Sequence, residues 1–217
     1  MENISKAWDW KEVKDKIWYE PSEESYYLLK RWQNFNTFLD LGCGLGRHSV
    51  LFAENNFETY ALDLSEYAVE ELKTYSHKNN LGINCTVSDM VNLPYEDNFF
   101  DCIFSYHVIS HTDTAGAYRI ISEIKRVLKP GGEIYFTLCS KQTWSYTTAK
   151  FPKIDENTVL KTEEGPEKNI PHFFADKELI KDLLKDFSIL SLSQKEDLII
   201  KGKELDSWHY FILASLK

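Results

Sequence analysis

Basic residues are the minority charge in this chain, 25 lysines and arginines against 34 aspartates and glutamates over 217 residues, a net charge of −9. No stretch has the basic density that a duplex nucleic acid partner requires, which argues against that class of partner. Long apolar runs are missing too: none reaches the roughly 18 residues of a membrane span. The opening Met1-Glu2-Asn3 is polar and the stretch from Lys6 to Lys16 is charged, unlike a secretory leader. Only four cysteines occur, Cys43, Cys85, Cys102 and Cys139, widely spaced and with no C-x-x-C pair. That usage predicts reduced thiols in a cytoplasmic protein. Internal repeats, low-complexity tracts and a dividing linker are all lacking, so a single domain over 1–217 is expected. A chain of this length buries about 70% of its unfolded surface.

What is present is concentrated in one stretch, Phe38-Leu39-Asp40-Leu41-Gly42-Cys43-Gly44-Leu45-Gly46-Arg47-His48-Ser49. Apolar residues run into an aspartate, glycines follow at alternate positions, and helix-forming sequence begins at once. This reads as a strand, a tight turn and the start of a helix. Glycines there let a ligand approach main-chain atoms, and the helix N-terminus adds free N–H groups. The dinucleotide fingerprint G-x-G-x-x-G, counted from Gly42, would need glycine where Arg47 stands. Counted from Gly44, it would need glycine in place of Ser49.

The pattern D-x-G-x-G-x-G from Asp40 to Gly46 resembles motif I of the class I S-adenosylmethionine-dependent methyltransferases. An acid at this strand end suits a ligand with an ammonium and a sulfonium and ill suits a pyrophosphate. Glu58 to Asp63 reads as a second strand, and Asp63, with Leu64 beside it, follows the rule that a second-strand acid holds ribose hydroxyls. Ser65, also a candidate helix cap, opens an amphipathic helix to Lys78. Ile83 to Val87 is a third strand. The Asp89-Met90 pair just beyond it resembles the adenine site of the same family, where a carboxylate accepts from the exocyclic amine and the next residue packs on the ring. Phe99 to Ser105 is an apolar fourth strand running into Tyr106, His107 and His111. Thr112 or Asp113 then caps a helix to Leu128. The Leu128-Lys129-Pro130-Gly131-Gly132 turn, which also resembles this family, is expected to stop that helix before a fifth strand, Glu133 to Cys139.

Five strand–helix units followed by two adjacent strands, 186–192 and 207–215, predict a doubly wound, mostly parallel seven-stranded sheet. Helices cover both faces, and an antiparallel hairpin forms one edge. The last two strands are expected to be joined by a charged connector with Gly202. The resemblance, over roughly Thr37 to Lys217, implies the Rossmann-like methyltransferase fold with S-adenosyl-L-methionine as cofactor. Its implied cofactor residues are Asp40, Gly42, Gly44, Gly46, Asp63, Leu64, Asp89, Met90, Ser105 and Tyr106, all at strand ends.

Two segments lie outside the rhythm. Residues 1–36 hold Trp8, Trp10, Trp18 and Trp32; Trp32 reads as packing on the sheet and Trp18-Tyr19 as a lid. Residues 141–175, with Pro152, Pro166, Pro171 and His172, read as an insertion covering the substrate, with a strand near Thr158-Val159-Leu160. His107 and His111 are the candidate catalytic residues, because an imidazole titrating near 6.5 suits proton transfer at neutral pH. The base-methylating signature of an Asn or Asp followed by Pro-Pro and an aromatic is absent after the fourth strand. A small-molecule acceptor is therefore expected first and a protein side chain second. A non-catalytic cofactor-binding module and a nicotinamide-dependent oxidoreductase remain as alternatives. His107 and His111, four apart, show no third ligand in the sequence, so no metal is expected.

Overall fold

The computed structural model of the chain describes residues 6–13, 18–165, 167–200 and 203–217. The elements are α1 (Glu23–Arg31), β1 (Thr37–Leu41), α2 (Arg47–Glu54), β2 (Glu58–Asp63), α3 (Glu66–Asn79), β3 (Asn84–Val87), β4 (Phe100–Ser105), α4 (Thr114–Val127) and β5 (Leu128–Ser140). They continue with α5 (Trp144–Thr147), β6 (Lys153–Asp155), β7 (Thr158–Leu160), β8 (Pro171–Ala175), α6 (Lys177–Leu183), β9 (Phe187–Ile200) and β10 (Lys203–Leu216). Cap chemistry sets three helix starts: Ser65 accepts from the Ala68 N–H, Asp113 from Gly116 and Asp176 from Leu179.

The strands β3-β2-β1-β4-β5 are parallel neighbours in that order, and β10 lies antiparallel between β5 and β9. This is the expected seven-stranded sheet, and it carries three further strands. β6, β7 and β8 form an antiparallel annex, joined to the sheet where Cys139 and Ser140 of β5 pair in parallel with Phe174 and Ala175. Because β10 occupies the other edge of β5 at Cys139, the annex takes the edge that β4 leaves at Ser105.

Side-chain alternation divides the core. Leu39, Ile103, Phe136 and Ile212 pack into one cluster with Ile120 and Ile124 of α4. Phe38, Cys102, Phe104, Tyr135 and Phe211 point to the opposite face, under Leu28, Trp32 and Phe52. Trp32 is buried as expected, 5.9 Å from Phe52 ring to ring, and its Nε1 donates to Glu133. All four cysteines are free thiols. Among the described residues no helix is long and apolar enough to cross a membrane.

Two expectations need correction. The Lys129-to-Gly132 turn does not separate helix from strand: α4 passes directly into β5. Phe100 pairs with Leu128 and Cys102 with Glu133, so the extra residues bulge out inside the strand. The final hairpin is also much longer than 186–192 and 207–215, because cross-strand pairing continues through polar positions. The connector residue Gly202 lies outside the described residues.

His48 ties the segment before the sheet to α2. The Ser22 N–H donates to its Nε2 at 3.2 Å, and an accepting ring nitrogen carries no proton. Burial, then the neighbouring Arg47, holds its pKa well below 6.5. The unfolded chain therefore takes up a proton that the native state refuses. The stability from neutral His48 is full above the unfolded pKa and is lost as pH falls through the window beneath it. Urea unfolding from about pH 6.5 down to about pH 5 is expected to show a shallower stability loss for His48→Gln than for the wild type.

Candidate functional site

A cavity of about 780 Å³, its mouth included, opens at the carboxyl ends of β1 to β4. Gly42 and Cys43 wall it after β1, Asp63 and Leu64 at the end of β2, Ser88 to Met90 after β3, and Tyr106 to Val108 with His111 after β4. Each wall residue stands where a parallel strand ends, which is where ligands of such sheets bind.

The glycine turn is held from two sides. Asp63 Oδ2 accepts from the Gly44 N–H at 2.8 Å while Oδ1 accepts from the Ser65 N–H at 2.8 Å. Burial raises the Asp63 pKa, and the N–H groups of Ser65, Gly44 and Leu64 draw it back down. Asp40 faces away from this contact. Its Oδ2 accepts from the Ser49 N–H at 2.9 Å and the Ser49 hydroxyl at 2.6 Å, closing the first turn of α2. Burial raises Asp40 to about 6 against those hydrogen bonds.

Two glycines are required by what lies against them. Gly44 has φ +52, and a Cβ there would meet the Trp10 ring at 2.2 Å. Gly46 has φ +86, and a Cβ there would meet Leu72 of α3 at 2.2 Å. Gly44 therefore leaves room for the Trp10 ring, whereas Gly46 serves helix packing.

Of the residues singled out in the sequence, Gly42, Asp63, Leu64, Asp89, Met90, Tyr106, His107, His111 and Trp18 line the cavity. Asp40, Gly44, Gly46, Ser105, Tyr19 and His172 are not lining residues. Ser105 is fully buried and donates to the Leu41 carbonyl, tying β4 to β1. Tyr19 is 58% exposed. His172 is buried, with its ring 4.9 Å from that of His111. The imidazole in ring contact with His107 is that of His209, at 4.6 Å, whereas His111 is in ring contact with His172.

Trp8, Trp10 and Arg47 are among the wall residues that the sequence reading did not assign to the site. Trp8 and Trp10 pack with Trp18, at centroid separations of 5.0, 4.6 and 6.2 Å, into an aromatic cover over the cavity. The available signal was Asp9 between them: it accepts from the Lys11 N–H and turns the chain at Trp10–Glu12. Arg47 also lines the cavity, with its guanidinium 5.2 Å from the Trp18 ring and 5.7 Å from the Tyr106 ring. Its place directly after Gly46 was visible, but its direction was not.

His107 adopts φ 59, a left-handed conformation that costs a non-glycine residue about 1–2 kcal/mol. Its N–H donates to the Thr137 hydroxyl at 2.7 Å. Burial, then His209 and Arg47, holds its imidazole well below 6.5. The titration near neutrality expected of it is therefore corrected: His107 is a neutral ring at physiological pH.

Residues 39–136, from β1 into β5, match a family model described as a methyltransferase domain. A sterol 24-C-methyltransferase of Pneumocystis carinii is 31% identical over 83% of this chain and 46% of its own length. An uncharacterized methyltransferase of Schizosaccharomyces pombe is 28% identical over 66% of this chain and 52% of its own. The chain thus spans about half the length of the curated relatives it matches. A solved S-adenosylmethionine-dependent methyltransferase structure from Methanosarcina mazei superposes with a TM-score of 0.71 at 21% identity, covering 91% of this chain and 98% of that one. The matched domain, the sheet order and the residues gathered at the strand ends give this chain the Rossmann-like fold of the class I S-adenosylmethionine-dependent methyltransferases and a methyltransferase domain from β1 into β5.

Proposed function

We propose that this chain methylates a small-molecule acceptor held in the cavity beside S-adenosylmethionine. The observation that carries the reading is the concave, aromatic-walled cavity at the strand ends, lined by Trp8, Trp10, Trp18 and Tyr106 with a few polar groups among them. A net charge of −9 supports it against a nucleic acid acceptor. The related sterol methyltransferase, whose name gives a small apolar acceptor, points the same way.

The residues suit the cofactor. Each Asp63 oxygen already accepts one backbone N–H and keeps a lone pair for a ribose hydroxyl. Asp89, which accepts from the Val91 N–H, and Met90 line the cavity beyond β3, which supports an adenine-binding role for the pair. Arg47 gives the wall a cation opposite in sign to the cofactor's carboxylate. When bound, S-adenosylmethionine supplies a methyl group already activated by its sulfonium, so the protein's share is alignment and exclusion of water. Trp8, Trp10 and Trp18 exclude water. His107, neutral and fixed by Thr137, aligns the acceptor through a hydrogen bond and is too weakly basic to serve as the main proton sink.

A panel of small thiols, amines, phenols and carboxylates, assayed for S-adenosylhomocysteine release, tests the reading. Tight cofactor binding with no release from any member would make the chain a binding module instead. In calorimetry with S-adenosylhomocysteine, Asp63→Ala is expected to weaken affinity by about 1.5–3 kcal/mol. Gly44→Ala is expected to weaken it about tenfold or more, through a strained φ and the displaced Trp10. Unchanged affinity in both would remove this turn from the cofactor site.

Because Trp10 lies on Gly44, ligand entry is expected to shift tryptophan emission. It should also slow hydrogen exchange at 8–13, 18–20 and 141–165. Exchange that is equal with and without ligand would leave these segments as ordinary surface.

With an acceptor that does not itself titrate, turnover is expected to stay flat between about pH 6 and pH 8. His107→Ala is expected to lose about a hundredfold, and His107→Gln much less. A rise in turnover near pH 6.5 that vanishes in His107→Gln would instead make His107 a general base.

A further inference from the structure

Behind the cavity wall stands a cluster that methyl transfer does not use. His111 comes from the bend after β4, Glu167 from the connection between β7 and β8, and His172 from β8. Their ligand atoms all lie within 4.8 Å of one another. Glu167 Oε1 is 3.9 Å from His111 Nε2 and 3.5 Å from His172 Nε2, while its Oε2 is paired with Lys161. One carboxylate oxygen thus faces both imidazoles.

The tautomer of His172 follows from its surroundings. The residue is 1% exposed, and its Nδ1 lies 3.0 Å from the Ile170 carbonyl oxygen. A carbonyl only accepts, so Nδ1 carries the proton and, in a neutral ring, Nε2 presents a bare lone pair. That Nε2 is buried without a hydrogen-bond partner and faces the Glu167 carboxylate. A lone pair against an anionic oxygen is repulsive, so the arrangement calls for a cation between them.

We propose that His111, Glu167 and His172 bind a divalent first-row transition ion at the wall of the cavity. Two imidazoles and one carboxylate are a ligand set for zinc, iron or cobalt, and not for magnesium or calcium, which take oxygen donors. Ligands about 2.1 Å from one ion stand about 3.0–3.5 Å apart, so closing the set needs shifts of only a few tenths of an ångström to about 1 Å. The Ile170 carbonyl on Nδ1 is the outer partner that fixes a ligating imidazole. His111 is the cluster's lining residue in the cavity, so the ion stands where an acceptor oxygen or thiol could reach it.

The test uses the metal-depleted full chain titrated with Co²⁺ without cofactor or acceptor, so its outcome is independent of the methyl-transfer assay. Expected are uptake of one equivalent, visible absorption bands of a bound cobalt ion, displacement by Zn²⁺ and no competition from Mg²⁺. Glu167→Gln and His111→Ala are each expected to weaken uptake roughly tenfold or more, with circular dichroism unchanged. His172→Gln should do the same, but the residue is buried, so the two less buried positions carry the test should it fail to fold. No uptake by the wild-type chain, or equal uptake by Glu167→Gln and His111→Ala, overturns the site. So does nitrogen NMR at neutral pH showing both ring nitrogens of His172 protonated and unmoved by Zn²⁺, which would make the pair a simple salt bridge.

Discussion

One carboxylate joins the two turns that build the cofactor side of this protein. Asp63 takes the Gly44 N–H with one oxygen and the Ser65 N–H with the other. The Leu62 carbonyl beside it accepts from both Gly42 and Cys43. The glycine turn after β1 is therefore bolted to the end of β2, and α3 starts from the same point. These donors also lower the cost of keeping a buried carboxylate ionised, which desolvation alone would make steep. Everything placed against the turn, Trp10 on one side and Leu72 on the other, depends on that backbone path.

Much of this was legible in the sequence because it is local. Ser65 and Asp113 cap their helices, and the D-x-G-x-G-x-G turn falls where a parallel strand ends. What failed depends on partners far along the chain. Lys129 to Gly132 has the composition of a helix stop, yet pairing with β4 draws it into β5 as a bulge. The direction of Asp40 was not legible either, since Ser49, nine residues on, bonds its Oδ2. His111 and His172 are separated by the whole of α4 and β5 and meet only because β8 returns to the sheet.

The chemistry of the acceptor side differs from a first reading in the same way. A histidine in sequence carries its solution pKa by default. His107 in the fold is packed against His209 and Phe211 and held by Thr137, so its neutral form dominates. The left-handed φ of His107 is held by its N–H on the Thr137 hydroxyl.

The shared edge of β5 has a consequence for how such a protein can change. β4 ends at Ser105, and the next stretch of that edge is occupied by β8. Left open, it would be a bare ladder at the mouth of the site, prone to pairing with another chain. β6–β8 close it as a short antiparallel graft on a vacant length of sheet, joined to it by one short register of two residue pairs. The cavity lies at the ends of β1 to β4, and β8 pairs with none of those strands. The annex can therefore change in length or sequence while the ladder that carries the cavity keeps its register.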